Sequence, residues 1–122
     1  MDPWKPKKNN SNGPEAIIQD EIIGKLRKYE WFVKSTHGNA FQSGLPDLFA
    51  AHPLHGSRWI EVKNPLDYSF TAAQIHDFPR MSAAGVGIWI LFSAEAEEMQ
   101  KLFKPANWAA IFHNKVYSFR RG

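Results

Sequence analysis

The pattern of apolar and polar positions first predicts a helix over residues 15–29. Apolar side chains recur there at intervals of three or four residues, which places them on one stripe of a helix. The members of this stripe are Ile18, Ile22, Leu26 and Tyr29. Glu15 and Gln19 fall on the same stripe, whereas Glu21 projects from the opposite side. A carboxylate at the start of a core-facing stripe is unexpected, so Glu15 is a candidate functional residue and Glu21 is the alternative.

Three short strands are predicted to follow this helix. The first is WFVKS, residues 31–35, and the polar loop THGNAFQSG separates it from LFAA, residues 48–51. The turn HPLHGS then leads into RWIEVK, residues 58–63. Because a connection this short joins neighbouring strands, the second and third strands should pair as an antiparallel hairpin.

The next predicted element is a helix over residues 72–84. Thr71 and Gln74 have the spacing of a capping box at its start. Pro79 lies inside the helix and should kink or interrupt it, because proline lacks the backbone N–H that a helix needs.

The remaining chain completes an α/β pattern. GIWILF, residues 87–92, is continuously apolar and is typical of a central, buried strand. A helix is predicted over residues 94–103, and two short strands around a turn at Asn114 and Lys115 are predicted within residues 108–119. This order of elements predicts an α/β sandwich, in which helices flank a central mixed β-sheet.

Length and net charge add little to these predictions. The 122 residues suit one domain, which can bury roughly two-thirds of its unfolded surface. The net charge of +3 would suit a polyanionic partner, but only together with a specific site. The composition of residues 1–14 predicts a loose basic arm whose lysines are candidate phosphate contacts. Residues 15–122 are expected to form a single folded domain. The lysines of the arm are Lys5, Lys7 and Lys8.

The absence of cysteine excludes disulfides and thiolate metal sites. The longest apolar run, VGIWILF, is too short to span a bilayer, and the first residues lack the apolar segment of a signal peptide. We therefore expect a soluble, cytoplasmic protein without membrane partners, in which oxygen or imidazole ligands would hold any metal ion.

Three ionisable residues mark a candidate site. Asp47 begins the second strand, and Glu61 and Lys63 share one face of the third strand. The hairpin can bring Asp47 close to Glu61, where two carboxylates repel by several kcal/mol at an effective dielectric of about 20. A divalent cation removes this repulsion, and oxygen ligands favour Mg²⁺ or Mn²⁺ over Zn²⁺. The backbone carbonyl of Val62 is a candidate further ligand.

This chemistry suits the hydrolysis of phosphodiesters. A divalent ion polarises a phosphoryl oxygen and lowers the pKa of a bound water. Lys63 can orient the attacking water or stabilise the pentacoordinate phosphate.

The order of these motifs resembles a known family. Pro46-Asp47 followed by Glu61-Val62-Lys63 matches the motif of the PD-(D/E)xK nuclease superfamily. More narrowly, the region from Glu15 to Phe92 resembles the virus-type replication-repair nuclease (VRR-NUC) domain. The matching segments are Glu15 with Gln19, Gly44-Leu45-Pro46-Asp47-Leu48, Trp59-Ile60-Glu61-Val62-Lys63, and Thr71 to Gln74.

The resemblance implies a restriction-endonuclease-like fold and a metal-dependent DNA endonuclease. In that pattern Asp47 and Glu61 bind Mg²⁺ or Mn²⁺, Lys63 assists hydrolysis, and Glu15 supports the metal ion or a second ion. Gln74 would lie beside the site. Related folds include Holliday-junction resolvases, so the implied substrate is DNA that is branched or has free ends.

Further residues are candidates for substrate binding. His37 and Gln42, in the loop before Gly44, could face the phosphate backbone or a base, and Lys34 could contact a phosphate. Gly44 and Gln74 are the remaining candidates for substrate binding. Gln74 also has a local explanation as the capping residue of its helix.

Two questions of assembly and function stay open at this stage. A chain this small would have difficulty cutting both strands of a duplex alone, so a homodimer is expected. The alternative function is a nucleic-acid-binding or assembly module that has the same fold but does not hydrolyse DNA.

Overall fold

The computed structural model of this protein describes residues 13–36 and 44–117. The elements in chain order are α1 (Pro14–Lys28), β1 (Phe32–Ser35), β2 (Leu48–His52), β3 (Gly56–Val62), α2 (Ala72–Ala83), β4 (Ile88–Leu91), α3 (Ala96–Met99), a 3₁₀ turn (Gln100–Phe103) and α4 (Trp108–Tyr117). The predicted arm lies mostly outside the described residues, and its separation from one folded domain stays a prediction. Within the described residues, no helix is both long and apolar enough to cross a membrane.

The four strands form one mixed sheet in the order β1-β2-β3-β4. β1 pairs with β2 and β2 pairs with β3 in antiparallel fashion, whereas β4 runs parallel to β3. A parallel pair needs a crossover connection, which α2 supplies here. The predicted α/β sandwich around a mixed sheet, with the hairpin strands antiparallel, is therefore confirmed.

Apolar residues cover both faces of the sheet. On one face, Ile60 and Val62 of β3 belong to a core cluster with Ile22 and Leu26 of α1. On the other face, residues of β4 pack with residues of α2 and α4 in a second cluster, whose buried members are Phe70, Phe78, Ile88, Ile90, Trp108 and Phe112. Because side chains alternate along a strand, Glu61 points to the face covered by α2 and α4.

Helix α2 continues through Pro79 instead of being interrupted there. Proline removes the hydrogen bond that would reach the carbonyl of Ile75. Ile75 and His76 lie on an exposed side of the helix, where water can reach this carbonyl. The guanidinium of Arg80 also donates to the carbonyl oxygen of His76 at 2.7 Å, which supports the backbone next to the missing bond.

The prediction of two strands near the end of the chain is wrong, because Trp108–Tyr117 forms helix α4. Trp108 and Phe112 are four residues apart, their rings lie 4.9 Å apart between centroids, and both are buried. Helical spacing thus places two large rings on the second core, which outweighs the strand preference of the local residue types. Within the predicted helix over residues 94–103, only Ala96–Met99 is α-helical and a 3₁₀ turn follows.

The outer edge of β4 is closed by one side chain. The backbone N–H of Ile90 donates to Oδ1 of Asn107 at 2.7 Å, and Nδ2 of Asn107 donates to the carbonyl oxygen of Ile90 at 3.0 Å. The amide therefore makes the two hydrogen bonds that a further strand would make. It holds Ile90 in register opposite Glu61.

We predict that Asn107→Ala lowers the free energy of unfolding by about 1–3 kcal/mol, because the substitution leaves two partly buried backbone groups of Ile90 without their partner. Urea denaturation measures this difference. Asn114→Ala, at an exposed position of α4, is the matched control and should change the free energy by less than about 0.5 kcal/mol. Equal effects of the two substitutions would show that Asn107 does not close the edge.

Candidate active site

Four polar side chains are buried together where β2 begins and β3 ends. Asp47, Glu61, Lys63 and Gln74 are only 8, 1, 4 and 6% exposed, respectively. The antiparallel register pairs Leu48 of β2 with Ile60 of β3. Asp47, the residue before Leu48, therefore lies across from Glu61, the residue after Ile60. The hairpin and the first turn of α2 thereby bring these four predicted site residues together.

The carboxylates of Asp47 and Glu61 are held by crossed hydrogen bonds. The backbone N–H of Asp47 donates to Oε1 of Glu61 at 3.1 Å, and the backbone N–H of Val62 donates to Oδ2 of Asp47 at 2.8 Å. Each carboxylate therefore accepts from the other strand. Thr36 anchors the same corner, because its hydroxyl donates to the carbonyl oxygen of Pro46 at 2.6 Å.

Lys63 enters the same network from the end of β3. Its Nζ lies 2.9 Å from Oε2 of Glu61, donates to Oε1 of Gln74 at 3.1 Å, and lies 4.7 Å from the centroid of the Phe70 ring. Its backbone N–H donates to the carbonyl oxygen of Leu91, which extends the pairing between β3 and β4 by one residue. The ammonium is thus fixed by contacts on its backbone and at its tip.

Gln74 both caps α2 and contacts the charged residues. Its Oε1 accepts from the backbone N–H of Thr71 at 3.1 Å, and its backbone N–H donates to the Thr71 hydroxyl, which completes the predicted capping box. Its Nε2 donates to Oε2 of Glu61 at 2.8 Å. The predicted capping role is therefore confirmed, and the same side chain also contacts two of the predicted site residues. An amide suits this position because a carboxylate there would repel Glu61.

Burial raises the pKa of Glu61 to about 8. This value is the net result: the neighbouring charge of Asp47 adds to the rise caused by burial, whereas the ammonium of Lys63 and the hydrogen bond from Gln74 lower the pKa. Loss of hydration therefore outweighs the compensation that the polar neighbours provide. The site favours any additional positive charge that comes within reach of these carboxylates.

The remaining predicted site residues include Glu15, Lys34, His37 and Gln42. Glu15 is half-buried in the first turn of α1, the helix that packs on the face of the sheet opposite to Glu61. Lys34 is exposed on β1, and His37 and Gln42 lie outside the described residues. Their roles, the role of the Val62 carbonyl as a ligand, and the roles of Gly44 and Gln74 in substrate binding stay predictions.

Among residues 13–36 and 44–117, no three acidic or histidine side chains are grouped as a metal site. An ion held by Asp47 and Glu61 can complete its coordination with water, with substrate oxygens or with backbone oxygens.

Gly44 has a structural role that the sequence did not reveal. A Cβ atom added at Gly44 would lie 1.8 Å from Oδ2 of Asp77, so the carboxylate fills the space of a side chain. Asp77 lies one turn after Gln74 on α2, and its Oδ1 is 2.7 Å from Nδ1 of His76. The sequence indicates only that Asp77, three residues after Gln74, lies on the same side of α2 as Gln74.

We predict that the metal-free protein becomes less stable as pH rises from about 5 to 8. The folded state keeps a proton on Glu61 up to a pKa of about 8, whereas the unfolded state releases it near the ordinary value of 4.5. The folded state thus binds more protons in this window, and the free energy of unfolding falls by about 3 kcal/mol or less.

Urea denaturation at several pH values in the presence of EDTA measures this dependence. Glu61→Gln cannot lose a proton, so the difference between the wild type and this variant should narrow or reverse as pH rises. Parallel pH curves for the two proteins would contradict the prediction.

We predict that Gly44→Ala lowers the free energy of unfolding by about 1–2 kcal/mol, because its methyl group displaces the Asp77 carboxylate. The double variant with Asp77→Ala should recover most of this loss. Asp77→Ala alone is the control and should be nearly neutral, since the side chain is 44% exposed. Additive effects, measured by thermal or urea unfolding, would show that the two residues do not compete for space.

Comparison with solved structures identifies the fold of this chain. A solved structure described as "VRR_NUC domain" superimposes with a TM-score of 0.57 and 21% sequence identity, over 74% of this chain and 94% of that chain. No protein-family model matches the sequence, and no curated protein matches it. The chain therefore has the fold of a VRR-NUC domain, which confirms, for the fold, the resemblance indicated by its motifs.

Proposed function

We propose that this protein is a nuclease that hydrolyses phosphodiester bonds in DNA with a divalent metal ion, Mg²⁺ or Mn²⁺. The observation that carries this proposal is the buried cluster of Asp47, Glu61 and Lys63 at the end of the hairpin. The similar solved structure is named as a nuclease domain, and this supports the proposal.

The chemistry of the donor set fits a hard divalent cation. Asp47 and Glu61 supply carboxylate oxygens at the adjoining ends of β2 and β3, and a cation beside them would favour the ionised form of Glu61, whose pKa burial raises. Mg²⁺ commonly binds through one or two carboxylates and keeps several waters, so two protein ligands suffice. When bound, such an ion would supply Lewis-acid polarisation of the phosphate and a water of lowered pKa.

Lys63 would act on the phosphate itself. Its ammonium is fixed by Glu61 and Gln74 and is only 4% exposed, so it acts in a region of low dielectric. Positive charge preorganised in such a region stabilises the negative charge that develops on a pentacoordinate phosphate. The same ammonium can orient the attacking water. Gln74 would keep Lys63 and Glu61 at a constant separation, and we assign it a positioning role.

The proposed substrate is branched or otherwise structured DNA. The net charge of +3 favours a polyanion, and Lys34 and the predicted loop residues His37 and Gln42 are the proposed contacts along its backbone. We further propose that two copies of the chain act as a symmetric dimer, because one site of this kind cuts one strand at a time. The alternative, a binding module without hydrolysis, does not explain why Asp47, Glu61 and Lys63 are buried together.

We predict that Lys63→Met and Glu61→Gln each reduce DNA cleavage by about 100-fold or more, because each removes a charge that acts on the transition state. The assay uses labelled linear, flapped and four-way DNAs with Mg²⁺ or Mn²⁺, and EDTA should abolish all cleavage. The matched controls are Lys104→Met and Glu97→Gln, at exposed positions, which should cut as the wild type does.

Circular dichroism and thermal unfolding would show that the two site variants are folded. Cleavage by folded Lys63→Met or Glu61→Gln at the rate of the controls would exclude the proposed mechanism. DNA binding by the wild type without cleavage in either metal would favour the binding module.

A further inference from the structure

The loop that follows Lys63 carries an unusually exposed apolar side chain. Leu66 is 91% exposed, more than any other large apolar residue of residues 13–36 and 44–117. It is three residues from Lys63, which limits its distance along the chain to about 10 Å. Leu54 is 83% exposed, but it lies in the turn between β2 and β3, at the opposite end of the hairpin from the site.

The loop holds Leu66 in a defined turn. The backbone N–H of Leu66 donates to Oδ1 of Asn64 at 3.1 Å, and the backbone N–H of Asp67 donates to the carbonyl oxygen of Asn64 at 3.3 Å. On the far side of the turn, the Tyr68 ring packs against Phe92, with centroids 5.2 Å apart. The leucine is therefore presented at the tip of an anchored loop and does not fold back onto the protein.

A cation lies beside this apolar tip. Nζ of Lys115 is 4.6 Å from the centroid of the Tyr68 ring, so α4 brings a positive charge to the loop. Asp67, exposed next to Leu66, repels phosphates from the tip itself. DNA offers a partner for both features, because the apolar bases can contact the leucine while a neighbouring phosphate contacts the lysine.

We propose that Leu66 inserts into the base stack of DNA beside the bond to be cut, while Lys115 contacts a neighbouring phosphate. This inference rests on the proposed nuclease function and names the residue that would distinguish the proposed substrate from regular duplex. Inserted apolar side chains unstack and kink DNA at a free-energy cost that is smallest where the stack is already interrupted. The substrate is therefore DNA with an interrupted base stack, such as a flap, a mismatch or a junction, in preference to regular duplex.

The first test compares Leu66→Ala with the matched control Leu54→Ala on flapped or four-way DNA and on a linear duplex of the same sequence. Leu66→Ala should slow cleavage of the interrupted DNA by roughly ten-fold or more, the effect expected from losing one buried leucine contact. Its preference for interrupted over linear DNA should fall, whereas Leu54→Ala should behave as the wild type. Lys115→Ala should weaken binding to all of the DNAs.

The second test reads base unstacking without cleavage. 2-Aminopurine placed at the flap or junction should become more fluorescent when Glu61→Gln protein binds, and this increase should disappear in the double variant with Leu66→Ala. Sedimentation of Leu66→Ala should give the same oligomeric state as the wild type.

The outcomes separate the two proposals. Failure of the wild type to cut any of the DNAs would overturn the nuclease function and the inserted leucine together. Cleavage by the wild type with equal rates for Leu66→Ala and Leu54→Ala would overturn only the role of Leu66. A changed oligomeric state, or an equal loss on all DNAs without a fluorescence difference, would show that Leu66 contacts protein instead of bases and would also overturn it.

Discussion

The site depends on one constraint, the burial of the Glu61 carboxylate. Oε1 of Glu61 accepts from the backbone of Asp47, and Oε2 contacts both Lys63 and Gln74. A buried carboxylate is strongly unfavourable without such partners, so its contacts require β2, β3 and α2 to meet in one register. The hydrogen bonds that partly compensate the burial of this carboxylate also assemble the site.

The network is costly for stability, which itself points to function. Burial and the charge of Asp47 raise the pKa of Glu61 despite two favourable neighbours. Apolar side chains of similar size commonly make a core at least as stable as a buried ion pair does. The two apolar clusters on either face of the sheet offset this cost, because Ile60 and Val62 anchor β3 on one face and Ile90, in the next strand, packs on the other. Apolar packing on both faces of the sheet thus supports the strands that carry the charged site.

Much of the fold follows from local patterns, and the errors have physical causes. The hairpin was predictable because a short turn joins two strands, and Glu61 and Lys63 share a face because side chains alternate. Helix α4 was missed because β-branched and aromatic residues favour strands locally, whereas Trp108 and Phe112 at helical spacing fill a core built by distant residues. Pro79 did not interrupt α2, because the carbonyl of Ile75 that loses its hydrogen bond lies on an exposed side of the helix and Arg80 supports the neighbouring carbonyl of His76.

Local patterns in the sequence predict the hairpin of β2 and β3, the face of β3 that carries Glu61, and the capping of α2, since these depend on residues a few positions apart. Tertiary packing alone joins Gln74 to Lys63 and Glu61, places Asp77 in the space at Gly44, and brings Lys115 onto the ring of Tyr68. Each of these contacts joins separate elements of the chain. Their geometry depends on how the helices pack on the sheet, and no local periodicity encodes that packing.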